Sequence, residues 1–313
     1  MDALTLMDAP LIHIGYHKTA TTWLQREFFA RQVGIQMAPR ERIVAALLAP
    51  GAFSFDPVHA RTLLRAPSAQ RLLISMEALS GYPHNGGLNG CLSRDMASRL
   101  QRTYPKAEIL VTLRAQPEII AAAYAQYVRC GGTWSAARYA GLVDPVRRPD
   151  KTPRFSLDHF EYLPLLRWYR ELFGEQRLHV LLYEEFCDSP EAFLNRLAES
   201  VGLQMPAGRL AQTSRRNSSY RAALLPLARF LGRFSALDVY PKHYWIHVPG
   251  MYWLQRGLLE SLHRGLPNRH GSDPRRIFGR ALVERLRQRY AESNRRLAAE
   301  FRLPLEAYGY PGW

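Results

Sequence analysis

Leu11-Ile12-His13-Ile14-Gly15-Tyr16-His17-Lys18-Thr19-Ala20-Thr21-Thr22-Trp23-Leu24-Gln25 decides how the rest of the chain is read. Leu11 to Ile14 is a short apolar run of the kind that forms a buried strand. It stops at Gly15, which allows a tight turn without a Cβ clash. A lysine and three threonines follow, and a helical pattern runs from Thr22 to Arg31, with Trp23, Leu24 and Phe28 at helical spacing. Strand, glycine turn and helix start make a phosphate site, because free amides and the positive end of the helix dipole converge on one anion. Lys18 adds a point charge, and Thr19, Thr21 and Thr22 add hydroxyl donors. A plain strand–helix junction capped by threonines is the other reading of these residues.

The loop is not that of a nucleotide triphosphatase, which reads G-x-x-x-x-G-K-[ST]. Lys18 comes three residues after Gly15, no second glycine precedes it, and three threonines and a tryptophan follow.

Working outward, Val33 to Met37 reads as a short strand. Arg40 to Leu48 and Pro57 to Arg65 read as helices around the Pro50-Gly51 turn. Arg71 to Glu77 is an apolar strand ending on a carboxylate. It enters a loop rich in glycine and asparagine, Gly81 to Gly90, of the kind that covers a ligand. A helix follows from Leu92 to Tyr104, with Ser93 as its expected cap. Glu108 to Arg114 is the next strand. Ligands of open parallel sheets bind outside the carboxyl ends of the strands, so Glu77 and Arg114 fall on the same rim as Gly15 to Thr22. Pro117 to Val128 is a helix closed by Gly131-Gly132, and residues 133 to 156 are irregular. Leu157 to Phe173 reads as a helix, Arg177 to Tyr183 as a strand and Pro190 to Val201 as a helix. Asp273-Pro274 opens a last helix reaching about Phe301.

This alternation predicts an α/β fold: a three-layer sandwich with a central parallel sheet and helices on both faces, plus a mainly helical C-terminal extension. Residues 1–313 read as a single domain. Within it, 205–272 lacks strand signals and reads as a helical and loop insertion covering acceptor or cofactor.

Bulk properties narrow the classes. Lys and Arg number 42 against 27 Asp and Glu, a formal net charge of +15, which calls for an anionic partner. No apolar run approaches the roughly 18 residues of a membrane span. The N-terminal residues carry no basic segment of the secretory type. Cys91, Cys130 and Cys187 are odd in number and widely spaced, which points to a reducing compartment rather than a disulfide frame. The expected location is the cytoplasm, with peripheral contact at the inner membrane face left open. His243 and His247 are four apart, but no third ligand is evident and no metal is expected. The aromatic residues around them, Tyr240, Tyr244, Trp245, Tyr252 and Trp253, have two readings: a subdomain core, or a surface for a sugar or a lipid-linked acceptor.

The run Lys18-Thr19-Ala20-Thr21-Thr22-Trp23 resembles the 5′-phosphosulfate loop of bacterial sulfotransferases that use 3′-phosphoadenosine 5′-phosphosulfate (PAPS). Further segments are similar in order: Ile109 to Arg114 with the following helix and Gly131-Gly132, Trp168 to Gly174, Leu182-Tyr183-Glu184-Glu185, Arg215-Arg216-Asn217 and Tyr308-Gly309-Tyr310. Together they extend from about residue 11 to 310.

The resemblance implies a P-loop NTPase-like fold, PAPS as co-substrate, no metal, and a sulfuryl group moved to a hydroxylated acceptor, a carbohydrate, glycolipid or other glycoconjugate. It implies that Gly15, Thr19, Ala20, Thr21 and Thr22 form the 5′-phosphosulfate loop. Lys18 contacts the 5′-phosphate and the bridging oxygen, and Trp23 packs near the adenine, although core packing explains Trp23 equally well. Arg114, with Arg215, Arg216 and Asn217, is placed at the 3′-phosphate. The family has a serine eight residues after that arginine; here the position is Ala122. Glu77 is the first candidate for the base that deprotonates the acceptor, and His17 is the second.

A kinase on a related P-loop fold is the alternative enzyme reading. A basic nucleic-acid-binding protein is the alternative outside enzymes, without a helix-turn-helix, zinc-finger or RRM signature to support it.

Overall fold

The structure is a computed structural model that describes residues 9–65, 70–85, 88, 90–141, 155–206, 220–236, 242–265 and 273–313. Five strands form one sheet: β1 (Leu11–His13), β2 (Ile35–Met37), β3 (Arg71–Ser75), β4 (Glu108–Leu113) and β5 (Leu178–Leu182). All pairings are parallel and the order is β2-β3-β1-β4-β5. The sequence-predicted parallel α/β sandwich is therefore the fold observed. β1 is central because both neighbours cover it, which is why it needs no polar alternation: Leu11, Ile12 and Ile14 are fully buried.

The chain divides into two compact units. The first holds the whole sheet, within residues 1–82, 90–114 and 161–214. On one sheet face, Leu11, Leu73, Leu110 and Leu181 pack with Leu24, Phe28 and Phe29 and with the helix Pro190–Val201, through Phe193, Leu194, Leu197 and Val201. Ile12, Ile74, Ile109 and Val111 alternate to the other face, on the side of the helices Cys91–Thr103 and Tyr162–Phe173. Two buried polar side chains tie the sheet down. Glu108 Oε2 meets His179 Nε2 at 2.7 Å across β4 and β5. Arg71 donates to the carbonyls of Ala9 and Val201, at 2.7 and 2.5 Å.

The second unit comprises residues 83–89, 115–160 and 215–313. Its spine is the helix Gln116–Arg129, most of whose side chains are buried. Gln116 and Asn294 exchange two amide hydrogen bonds, at 2.8 and 3.0 Å, joining that helix to Arg280–Phe301. Asn294 also donates to the Pro311 carbonyl at 2.9 Å, which fastens the Tyr-Gly-Tyr-Pro end. Gly132 is required by space: a Cβ there would lie 2.3 Å from the Tyr127 ring.

Several sequence-predicted elements differ in detail. The helix predicted from Thr22 begins at Thr21 and changes type, with a π turn over Leu24–Phe28 and a 3-10 turn over Phe29–Arg31. Ser93 does not cap its helix. The helix starts at Cys91 behind left-handed Gly90, and the Ser93 hydroxyl donates to the Ser80 carbonyl at 2.8 Å. Leu157 to Phe173 is a 3-10 turn, Leu157–Phe160, followed by a separate helix from Tyr162. The last helix is two, because Gly279 at φ 78 stops Pro274–Phe278 before Arg280–Phe301 starts. His243 and His247 lie in an irregular segment. The described part of 205–272 contains helices and turns and no strand.

Two buried histidines set a pH dependence. Burial pushes His13 down from 6.5 to about 4; burial, then the neighbouring His84, does the same to His159. Both stay neutral in the folded chain where the unfolded chain already takes up protons. Between pH 6.5 and 4 the unfolded state binds more protons, so stability is complete above 6.5 and falls as pH drops toward 4. Urea midpoints should decline across that interval, and His13→Asn, which keeps a polar atom near Ser75 without titrating, should flatten the decline. An unchanged slope in the variant would mean that His13 is not the group responsible.

Candidate functional site

Strand register brings the candidate residues to one rim of the first unit. His13 is level with Ser75 of β3 and Leu110 of β4. Two residues beyond each member of the His13–Ser75 pair come Gly15 and Glu77, so the turn after β1 and the turn after β3 leave the sheet side by side. β4 runs on to Leu113, and Arg114 follows directly.

The turn after β1 is unusual in its backbone. Lys18 and Ala20 both have left-handed conformations, φ 69 and φ 63. For residues with a Cβ this costs about 1–2 kcal/mol each, and such strain clusters at ligand-binding turns. Gly15 itself is not left-handed. It is needed for space, because a Cβ there would sit 2.6 Å from His13 Nε2. The Thr19 hydroxyl donates to the Tyr16 carbonyl at 2.5 Å, closing the loop on itself.

These constraints fix how the following helix begins. Ala20 occupies the N-cap, where serine, threonine or aspartate is usual. Its methyl group accepts nothing, and the first intrahelical bond is Leu24 N–H to the Ala20 carbonyl, at 2.9 Å. The amides of Thr21, Thr22 and Trp23 are left as the orphan donors of the helix start. The Thr21 hydroxyl is buried and has no hydrogen-bond partner among the described residues. A buried hydroxyl without a partner is costly, so a helix start that withholds its cap and its hydroxyl is set up for an outside acceptor.

Arg114 braces this loop. One Nη donates to the Lys18 carbonyl at 3.0 Å, and the guanidinium carbon lies 4.6 Å from the centre of the Tyr183 ring. Its own carbonyl accepts from the Tyr162 hydroxyl at 2.6 Å, and the Tyr162 ring meets buried Tyr16 edge-on at 4.9 Å. Arg114 Nε is buried with no partner among the described residues, so the fork retains a donor. The resemblance placed Arg114 at a phosphate; the bracing contact to Lys18 is a second task that its sequence position did not signal.

Glu77 opens a 3-10 turn, Glu77–Ser80, and is half-buried. The Ser80 hydroxyl holds its carbonyl at 2.8 Å. No described residue is seen hydrogen-bonded or ion-paired to its carboxylate. The His17 ring lies 5.8 Å from that of Tyr82. Trp23 packs its ring 4.9 Å from Phe186 against the hydrophobic core, with Nε1 buried and without a partner among the described residues. Arg215, Arg216 and Asn217 lie outside the described residues, and Ala122 is buried in the second unit.

A polar chain under the loop was not anticipated. His13 Nδ1 and Ser75 Oγ are 2.9 Å apart, and Gln25 Nε2 donates to the Ser75 carbonyl at 2.9 Å and to Ser75 Oγ at 3.2 Å. This anchors the helix to β3. The signal was present as a histidine in an apolar strand and a serine at the end of another.

The residues fit the phosphate end of a sulfated or phosphorylated nucleotide. Uncapped amides, a threonine hydroxyl and Lys18 supply donors and charge, and no side chain of the loop supplies an anion to compete.

No protein-family model matches the chain, and no curated protein matches its sequence. Solved structures that match include a sulfotransferase from Alicyclobacillus acidocaldarius, at 19% identity and a TM-score of 0.46, covering 70% of this chain and 92% of that one. A mouse sulfotransferase complexed with PAP matches at 12% identity and a TM-score of 0.36, covering 90% of this chain and 91% of that one. At these scores the likenesses do not decide function, which rests on the residues of the rim.

The geometry predicts that Gly15→Ala destabilises the fold by about 1–3 kcal/mol, as overpacking does. In a His13→Ala background the same change should cost clearly less, because the colliding ring is gone. Equal urea-unfolding costs in both backgrounds would place the strain elsewhere.

Proposed function

We propose that this protein is a PAPS-dependent sulfotransferase that moves a sulfuryl group to a hydroxyl of a carbohydrate or glycoconjugate and releases adenosine 3′,5′-bisphosphate (PAP). The observation that carries the proposal is the uncapped helix start behind β1, with left-handed Lys18 and Ala20 and a Thr21 hydroxyl that has no partner among the described residues. The motif over Lys18 to Trp23 lacks the Gly-Lys-Ser/Thr of triphosphatases, which favours a phosphosulfate over a triphosphate. The proposal takes residues 1–313 as one sulfotransferase domain, with 205–272 covering acceptor or cofactor.

In this proposal the chain's residues divide the work. As the bond from sulfur to the bridging oxygen breaks, negative charge grows on the departing 5′-phosphate. Lys18 and the amides of residues 19 to 22 stabilise that charge more in the transition state than in the ground state. Arg114 holds the Lys18 backbone in place and offers its remaining donor to the 3′-phosphate, a task shared with Arg215, Arg216 and Asn217. Glu77 takes the proton of the acceptor hydroxyl, with His17 as the alternative base. Phosphoryl transfer is the nearest physical template, where positioning and charge stabilisation dominate.

Transfer of labelled sulfate from PAPS to a panel of glycans, glycolipids and phenols tests the proposal, with ATP and Mg²⁺ in parallel. Lys18→Ala should lower kcat/KM at least about 10²-fold. Glu77→Gln should lower kcat by about 10²–10⁴-fold while PAP affinity stays close to that of the parent. Normal turnover in the Gln variant removes Glu77 from the mechanism. Transfer from ATP without transfer from PAPS replaces the proposal with the kinase reading.

A further inference from the structure

The second unit exposes apolar side chains that no part of the proposed reaction uses. On the helix Met251–Gly265, Tyr252, Gln255 and Leu259 face inward. Leu254, Leu258 and Leu262 recur at every fourth position and so share another face. They are 69%, 51% and 42% exposed. Trp253, beside them in sequence, is 65% exposed. A second group sits on the neighbouring helical segment. Trp245, 64% exposed, meets Phe230 and Phe234 edge-on, at 6.0 and 5.8 Å, and Arg233 lies over its face at 4.7 Å.

The exposure is built in. Trp245 N–H donates to the Arg233 carbonyl at 2.7 Å, and Val248 N–H to the Phe234 carbonyl at 3.1 Å, so Trp245 and Ile246 are held on a fixed backbone. Gln255 donates to the Leu231 carbonyl at 2.6 Å, which joins the helix Met251–Gly265 to Leu225–Leu231. The two apolar groups therefore belong to one assembly.

Its charge has one sign. Arg233 lies over the Trp245 ring, Arg264 is exposed near the end of the helix Met251–Gly265, and the described residues 220–236 and 242–265 contain a single carboxylate, Glu260. Glu260 is already held by Arg129 and Arg256, at 3.0 and 3.1 Å, which keep its pKa below the ordinary value. A second copy of the chain would bring like charges together, so self-association does not suit this face. A leucine stripe, exposed tryptophans and an excess of guanidinium groups suit a surface that is anionic outside and apolar just beneath. We propose that this face docks the protein peripherally on an anionic lipid bilayer. Among the described residues no helix is long and apolar enough to cross a membrane, so the contact is interfacial.

Vesicle co-sedimentation with the full chain tests this without nucleotide, so its outcome is independent of the proposed reaction. The protein should pellet with phosphatidylcholine–phosphatidylglycerol vesicles and stay in solution with phosphatidylcholine alone. Replacing Leu254, Leu258 and Leu262 together by Ser should weaken partitioning at least about tenfold, with an unchanged melting temperature because the positions are exposed. Brominated phosphatidylglycerol should quench the tryptophan emission of the parent, and less so in Trp245→Phe; this second readout stands even where the triple variant folds poorly. Three results would each overturn the proposal: a parent protein that ignores anionic vesicles, quenching unaltered by Trp245→Phe, or a dimer that the leucine changes convert to monomer.

Discussion

The structure depends on a helix that begins without a cap. Alanine at the N-cap and a left-handed backbone on either side of Thr19 leave three amides and one buried hydroxyl without an acceptor among the described residues. Folded proteins rarely leave such groups unmatched. The surrounding chain is arranged to hold them nonetheless: Gly15 leaves room for His13, Ser75 and Gln25 link the helix to β3, and Arg114 grips the Lys18 carbonyl. Each of these contacts stabilises the sheet side of the loop, and none of them satisfies its outer side.

That asymmetry connects fold to function. A parallel sheet with β1 at its centre delivers the ends of β1, β3 and β4 to one rim, so an amide cluster, a carboxylate and an arginine emerge together. The charge balance of the whole chain points the same way, since a net +15 favours the approach of anions before any specific contact forms. The second unit adds exposed apolar side chains, Trp245, Leu254, Leu258 and Leu262 among them, that the proposed reaction does not use.

Much of this was legible in the sequence where one local pattern determines the outcome. The apolar runs at Leu11, Arg71, Glu108 and Leu178 became the strands β1, β3, β4 and β5, because a buried parallel strand needs little beyond apolar side chains and a turn at its end. Glu77 and Arg114 were placed on the rim for the same reason. Long-range pairings were not legible. The His13–Ser75–Gln25 chain and the Arg114 brace join residues between 50 and 96 positions apart, and no spacing rule connects them. Helix details failed where tertiary contact outweighed local preference: Ser93 left its capping role for the Ser80 carbonyl, and Gly279 split one predicted helix into two. Trp23 showed both tendencies, with a ring that packs on Phe186 and an indole N–H without a partner among the described residues.

The most direct measurement is a crystal structure of the protein with PAP bound. The account predicts the 5′-phosphate against the amides of residues 19 to 22 and the Lys18 ammonium, with the Thr21 hydroxyl gaining its missing partner. A 5′-phosphate bound elsewhere, or a loop whose amides are filled by the protein's own side chains while PAP binds, would contradict it.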